Sequence, residues 1–211
     1  MKQQATYTRI KFCGFTRETD VRQACSLGVD AVGFVFCEES PRFVSVELAQ
    51  SLSAACGPFV ARVGLFLNQS ENAVQSILEK VDLDVLQFHG SEEESYCRSF
   101  AKPYLKSVPM REPEALERYR NVYSSAQALL VDNHEADAMG GTGQTFDWND
   151  VSSDDSVPLI VAGGLSADNV AEAIEKIHPY GVDVSSGIEK EKGIKDLAKM
   201  RSFVTAVKSK K

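Results

Sequence analysis

The sequence predicts an α/β protein, a (β/α)8 TIM barrel formed as a single domain over residues 1–211. Three observations point there. Short apolar runs alternate with amphipathic stretches along the whole chain. The runs are rich in Val, Ile and Phe, which suits parallel strands covered on both faces. Eight such units succeed one another at intervals of about 20 to 30 residues with no linker, which suits a closed barrel. The runner-up, an open doubly wound sheet, would carry G-x-G-x-x-G after its first strand. Cys13-Gly14-Phe15-Thr16 stands there instead.

The first run is residues 10–13, and a helix follows from about Arg17, with Val21, Ala24 and Cys25 at helical spacing, to near Gly28. The second run is 31–36, with a helix beginning near Ser45. The third is 60–66, and its helix carries Val74, Ile77, Leu78 and Val81 on one stripe. After the fourth run, 85–88, Ser91 and Glu94 form a capping-box pattern for a helix reaching about Phe100. The fifth run, 104–108, precedes a helix from about Pro113 to Tyr119. The sixth, 128–131, leads through a glycine-rich loop to a short helix around Trp148. The seventh, 158–162, precedes a helix with Ser166 as N-cap and Val170, Ala173, Ile174 and Ile177 on its apolar stripe. The eighth, 182–184, precedes a last helix from about Lys195 to Val207, with Leu197, Met200, Phe203 and Val204 facing inward.

Composition narrows the functional class. With 43% hydrophobic residues the chain can build a core. A net charge of −7 without a basic stripe argues against a nucleic-acid binder, yet leaves room for a locally positive site that takes a small anion. No stretch approaches the roughly 20 apolar residues of a membrane span. Residues 1–8 are polar, so no signal peptide is expected. Lys208, Lys210 and Lys211 read as a solvated helix end. Five irregularly spaced cysteines without C-x-x-C are no disulfide framework, and a cytoplasmic protein is expected. The sequence is read as a monomer, with a homodimer left open.

In this fold, chemistry sits at the carboxyl ends of the strands. Gly163, Gly164, Ser186 and Gly187 follow the seventh and eighth strands, where barrels bind phosphate through backbone N–H groups. Cys13 and Asp132 end the first and sixth strands, three apart around a closed ring, and can face a substrate as base and acid. Taken singly, Cys13 reads as a buried structural thiol and Asp132 as a loop cap. The period of two along a strand puts Lys11 on the same side as Cys13, and Asp183 on the same side as Ser185. A Lys11–Asp183 ion pair is therefore expected. Its ammonium would lower the Cys13 thiol pKa, although a purely structural pair is the equal alternative.

Six segments, in order at the expected strand ends, resemble the phosphoribosylanthranilate isomerase family. They are Lys11-Phe12-Cys13-Gly14-Phe15-Thr16, Ser40-Pro41-Arg42-Phe43-Val44, Gln87-Phe88-His89-Gly90, Gly140-Gly141-Thr142-Gly143, Ala162-Gly163-Gly164-Leu165 and Gly181-Val182-Asp183-Val184-Ser185-Ser186-Gly187. The resemblance implies an Amadori rearrangement in tryptophan biosynthesis, with a small phosphorylated substrate and no cofactor or metal. It implies Asp132 as general acid, Cys13 as general base, and Arg42 as the fork for the anthranilate carboxylate. It places His89 and Asp183 in the site with less defined roles, and Gly141, Gly143, Gly163, Gly164, Ser186 and Gly187 around the phosphate. The chain departs from the family at Phe12, Phe15 and Phe88, where aliphatic residues are usual, and at Lys192, where proline often precedes Gly193. Two alternatives stay open: another phosphate-binding barrel isomerase or epimerase, and a non-catalytic phosphosugar-binding barrel. The related histidine-pathway isomerase pairs two aspartates, and Cys13 argues against it.

Overall fold

The computed structural model describes residues 7–110, 114–132, 148, 151 and 157–209. Eight parallel strands close into a barrel in sequence order, β1 pairing with both β2 and β8. They are β1 (Arg9–Cys13), β2 (Ala31–Val35), β3 (Ala61–Phe66), β4 (Val85–Phe88), β5 (Tyr104–Pro109), β6 (Ala128–Asp132), β7 (Leu159–Val161) and β8 (Gly181–Val184). The helices are α1 (Glu18–Ser26), α2 (Val46–Ala54), α3 (Glu71–Leu78), α4 (Glu94–Ser99), α5 (Ala115–Val122), α6 (Val170–Ile177) and α7 (Leu197–Lys208). The helix expected around Trp148 falls mostly outside the described residues. No helix among the described residues is long and apolar enough to cross a membrane.

Strand alternation sends the strands' apolar side chains to two faces, and a third small cluster of Cys13, Val35, Cys37 and Leu65 lies at the mouth. One face of the strands, with Phe12, Phe34, Phe66 and Phe88, packs against helix residues such as Val21, Leu52, Val74 and Phe203. The other face fills the barrel with Val63, Leu105, Ala128, Leu130, Ile160 and Ala162. The aromatic departures Phe12 and Phe88 belong to the first core. Phe12 meets Phe203 edge to face at 5.8 Å, and Phe88 lies among Phe66, Tyr96, Phe100 and Tyr104 at 5.6–6.1 Å. They fill space between sheet and helices and leave the barrel mouth untouched.

Three helices start on side-chain caps. Ser45, Ser70 and Asp196 accept from the backbone N–H of Leu48, Ala73 and Lys199 at 3.2, 3.3 and 3.0 Å. Three expected starts are corrected. α4 begins after Glu93 with no side-chain cap, and Ser91 instead turns to the loop after β3, its N–H and hydroxyl donating to Asn68 Oδ1 at 2.8 and 3.4 Å. α6 begins after Asn169, and Ser166 opens the preceding turn by accepting from Asp168 N at 3.2 Å. Lys195 is not helical. It belongs to an unforeseen antiparallel hairpin, β9 (Glu189–Glu191) with β10 (Ile194–Lys195), reached from β8 through the short 3₁₀ helix Ser186–Ile188.

Candidate active site

A pocket opens at the carboxyl ends of the strands, and most of the residues expected there line it: Cys13, Arg42, His89, Asp132 and Asp183, with Gly163, Gly164 and Ser186. Gly187 is not among the lining residues. A Cβ at Gly187 would collide with the Leu165 carbonyl, so the glycine lets two loop backbones touch. Gly141 and Gly143 lie outside the described residues.

Cys13 is buried at the end of β1, in register with Gly33 of β2. That glycine makes room for the thiol, since a Cβ on it would stand 2.7 Å from Cys13 Sγ. One inward step below, Lys11 and Asp183 are register partners, and Lys11 Nζ donates to Asp183 Oδ2 at 2.8 Å with both side chains buried. The expected ion pair is present. Burial is the largest single influence and opposes the Lys11 charge, but Asp183 and Cys13 together outweigh it and raise its pKa. The expected depression of the Cys13 pKa is not met. Burial is the largest influence and pushes the thiol above its ordinary value, while Lys11 and Lys195 pull it down and Asp183 adds to the rise.

Asp132 ends β6 across the pocket. Its carbonyl accepts from Met110 N at 3.0 Å, and its Oδ2 lies 3.9 Å from His89 Nε2. Gln87, inward on β4, places Nε2 3.4 Å from His89 Nδ1. Sequence reading quoted Gln87 only as part of a motif.

Arg42 follows β2 in a turn where its N–H donates to Ser40 Oγ at 3.1 Å. Its side chain crosses Gly14, whose φ of +78° and missing Cβ allow the approach. The guanidinium is already engaged on one edge: Nε and Nη2 donate to the two oxygens of Glu189, each at 2.8 Å. These bonds raise the Arg42 pKa against the cost of burial. Glu189 and Lys195 are the site residues that sequence reading missed. Lys195 Nζ donates to Glu189 Oε1 at 2.8 Å and to the carbonyl of Cys13 at 2.6 Å.

On the opposite wall, Gly163 and Gly164 hold φ of +78° and +63°. Asn169 fixes this loop, donating to the Gly164 carbonyl at 3.0 Å and accepting from Ser166 N at 2.8 Å. Among the described residues, no group of three or more His, Cys, Asp or Glu is placed to hold a metal ion. The pocket therefore joins a thiol, a carboxyl, an imidazole and an arginine fork beside a glycine-bearing wall. That set suits acid–base work on a small anion.

Comparison with known proteins agrees. A model of the N-(5'phosphoribosyl)anthranilate (PRA) isomerase family matches residues 10–206. The N-(5'-phosphoribosyl)anthranilate isomerase of Pseudomonas putida (strain GB-1) is 47% identical over 203 residues, 96% of this chain and 98% of its own. The crystal structure of phosphoribosyl anthranilate isomerase from Thermotoga maritima superimposes with a TM-score of 0.88 at 35% identity, covering 96% of this chain and 99% of that one. Another crystal structure of this isomerase, in complex with reduced 1-(o-carboxyphenylamino)-1-deoxyribulose 5-phosphate, gives 0.84 at 34%, covering 96% and 99%. The chain belongs to the N-(5'-phosphoribosyl)anthranilate isomerase family, an intramolecular aldose–ketose isomerase of tryptophan biosynthesis that carries out the Amadori rearrangement of N-(5'-phosphoribosyl)anthranilate.

Proposed function

We propose that this rearrangement runs on Asp132 as general acid and Cys13 as general base. Protonated Asp132 gives its proton to the furanose ring oxygen while the anthranilate nitrogen lone pair expels that oxygen from C1. The ring opens to an iminium. The Cys13 thiolate then removes the C2 proton, and the released electron pair moves into the C1–C2 bond and quenches the iminium as an enolamine. Loss of the C2 hydroxyl proton and protonation at C1 give the ketone. The substrate nitrogen first donates its lone pair to open the ring and then, as the iminium, accepts the electron pair released at C2, so the steps call on no cofactor or metal. The observation that carries this reading is that one pocket holds both Cys13 and Asp132, with the Lys11–Asp183 pair directly beneath the thiol.

Arg42 Nη1 makes no hydrogen bond to a described residue, and it is the edge we assign to the anthranilate carboxylate. The phosphate is assigned to the glycine-bearing loops at Gly163, Gly164, Ser186 and Gly187, with Gly141 and Gly143 after β6. This agrees with the phosphorylated ligand of the related crystal structure. His89, within reach of Asp132, is read as a substrate-binding group, and Asp183 as the group that holds Lys11. Five free thiols fit a reducing cytoplasm. The chain is read as one domain and a monomer, so sedimentation should give a mass near 23.1 kDa, and twice that mass overturns the reading.

Loss of fluorescence from freshly made substrate tests the mechanism. Cys13→Ser and Asp132→Asn should each lower kcat by about 10²-fold to 10⁴-fold while remaining folded. Because the thiol sits above its ordinary value, the wild-type rate should fall as pH drops and the thiolate is protonated. Turnover that survives both substitutions discards these roles and keeps only the substrate.

A further inference from the structure

The carboxylate of Glu189 is the hub of a buried charge cluster behind the pocket. Its Oε2 accepts from Arg42 Nη2 at 2.8 Å. Its Oε1 accepts from Arg42 Nε at 2.8 Å, Lys195 Nζ at 2.8 Å and Gly193 N at 3.2 Å. Lys195 Nζ also donates to the carbonyls of Cys13 at 2.6 Å and Ser185 at 3.2 Å, and sits 5.6 Å from the Phe15 ring centroid. All three charged groups are buried. A structural pair satisfying two inward charges would not need this connectivity. Here one carboxylate joins the arginine of the pocket wall to the ammonium that anchors the backbone of the thiol.

We propose that Glu189 and Lys195 are positioning residues of this active site: Glu189 fixes the Arg42 fork with its free edge toward the substrate, and Lys195, held by the same carboxylate, fixes Cys13 and supplies it with positive charge. This rests on the reading of Arg42 as carboxylate clamp and Cys13 as base. An arginine side chain has large rotamer freedom, and a fork already clamped on one edge loses less of it on binding. The Cys13 carbonyl, tied through Lys195 to the end of β8, cannot drift as the thiol takes a proton. Burial opposes both charges of the Glu189–Lys195 pair: at Glu189 the cations outweigh it and hold the carboxyl below the ordinary range, while at Lys195 burial prevails over Glu189 and lowers the ammonium's pKa. The charged groups that face the thiol are Lys11 from β1, Asp183 from β8, Arg42 from the turn after β2 and Lys195 from β10. His89 and Asp132 face it across the pocket.

The experiment combines steady-state kinetics with the pH dependence of Cys13 alkylation by iodoacetamide, resolved by peptide mass spectrometry, on the folded full chain. Glu189→Gln should raise KM about tenfold, with kcat changed less, because the fork is released. Lys195→Met should lower kcat about tenfold at nearly constant KM and move the Cys13 titration to higher pH by about half a unit or more. Lys195→Arg should restore the titration by restoring the charge. If Lys195→Met fails to fold, Lys195→Gln is the second variant. It keeps a donor for the Cys13 carbonyl without the charge and should still titrate high. Variants that melt earlier but keep wild-type KM, thiol titration and rate per folded molecule overturn the proposal. Alkylation does not depend on Cys13 being the base. A Cys13→Ser enzyme that still turns over removes the base assignment alone. An unmoved thiol in the Lys195 variants, with Cys13→Ser inactive, removes this proposal alone.

Discussion

Cys13 can sit where it does because its register partner has no side chain. A methyl group on Gly33 would stand 2.7 Å from Sγ, 3.2 Å from Cα and 3.3 Å from Cβ of Cys13, so the residue that must give way is the proposed base itself. Gly33→Ala adds one buried methyl at β2, costing about 1–3 kcal/mol in stability. It also displaces the thiol by a sizeable fraction of an ångström, enough to lower kcat/KM by about tenfold or more. Urea unfolding and substrate-fluorescence kinetics on the same preparation separate the two effects. An alanine variant with wild-type kcat/KM would show that the thiol position is not critical. The same scale explains why the thiol pKa ran against expectation. Sequence periodicity correctly put an ammonium beneath the thiol, but it gives no measure of burial, and burial is the larger influence.

At the scale of elements, legibility followed the length and polarity of each segment. The eight strands were readable because each is an apolar run, and their ends were readable because polar residues interrupt the runs at Cys13, His89, Asp132 and Ser185. The hairpin β9–β10 was not. Its strands are three and two residues long, and Glu189-Lys190-Glu191 has no apolar period to register. Lys195 looked like the start of the last helix, whose actual cap is Asp196. Lys106 was equally hidden. It lies in the apolar run of β5 yet is fully buried, donating to the Phe88 and Gly90 carbonyls and to Glu92 Oε2 at 2.9 Å. Glu92 in turn accepts from Asn68 N at 2.8 Å and Gly90 N at 3.0 Å, so the pair ties the segments after β3 and β4 together beside His89. The Lys11–Asp183 pair was legible because both residues sit at matching inward positions of two recognised strands, whereas Glu92 and Glu189 lie in the loop and hairpin segments after β4 and β8, where no strand period points to their partners.

On the scale of the whole molecule, the two ends of the barrel use one kind of contact for different ends. Arg42 grips Glu189 at the mouth, and Arg62 grips Asp84 at the other end, each through Nε and Nη2. The first pair has side chains 8% and 5% exposed, the second 31% and 41%. At the end away from the mouth the fork serves strand pairing: Asp84 precedes β4, accepts from Arg62 N at 2.8 Å, and returns its own N–H to the Arg62 carbonyl at 2.8 Å. Asp30 does the same before β2, accepting from Ile10 N at 2.8 Å. Residues at this end of a barrel serve stability and those at the mouth serve chemistry. The Arg62 hydrogen bonds hold the Asp84 carboxyl below its ordinary value of 3.8. A depressed carboxyl contributes stability above its unfolded value, and that contribution fades as pH falls through the lower folded value. Solvent screens the pair, so Asp84→Asn should cost no more than about 1 kcal/mol at pH 7. The gap between wild type and variant should narrow as the pH is lowered below 3.8. The rate per folded molecule should be unchanged at every pH. Urea unfolding from pH 7 down to pH 2.5, with turnover measured alongside, reads all three. A stability gap independent of pH would assign the loss to hydrogen-bond geometry rather than charge, and a fallen rate would break the division of labour between the two ends.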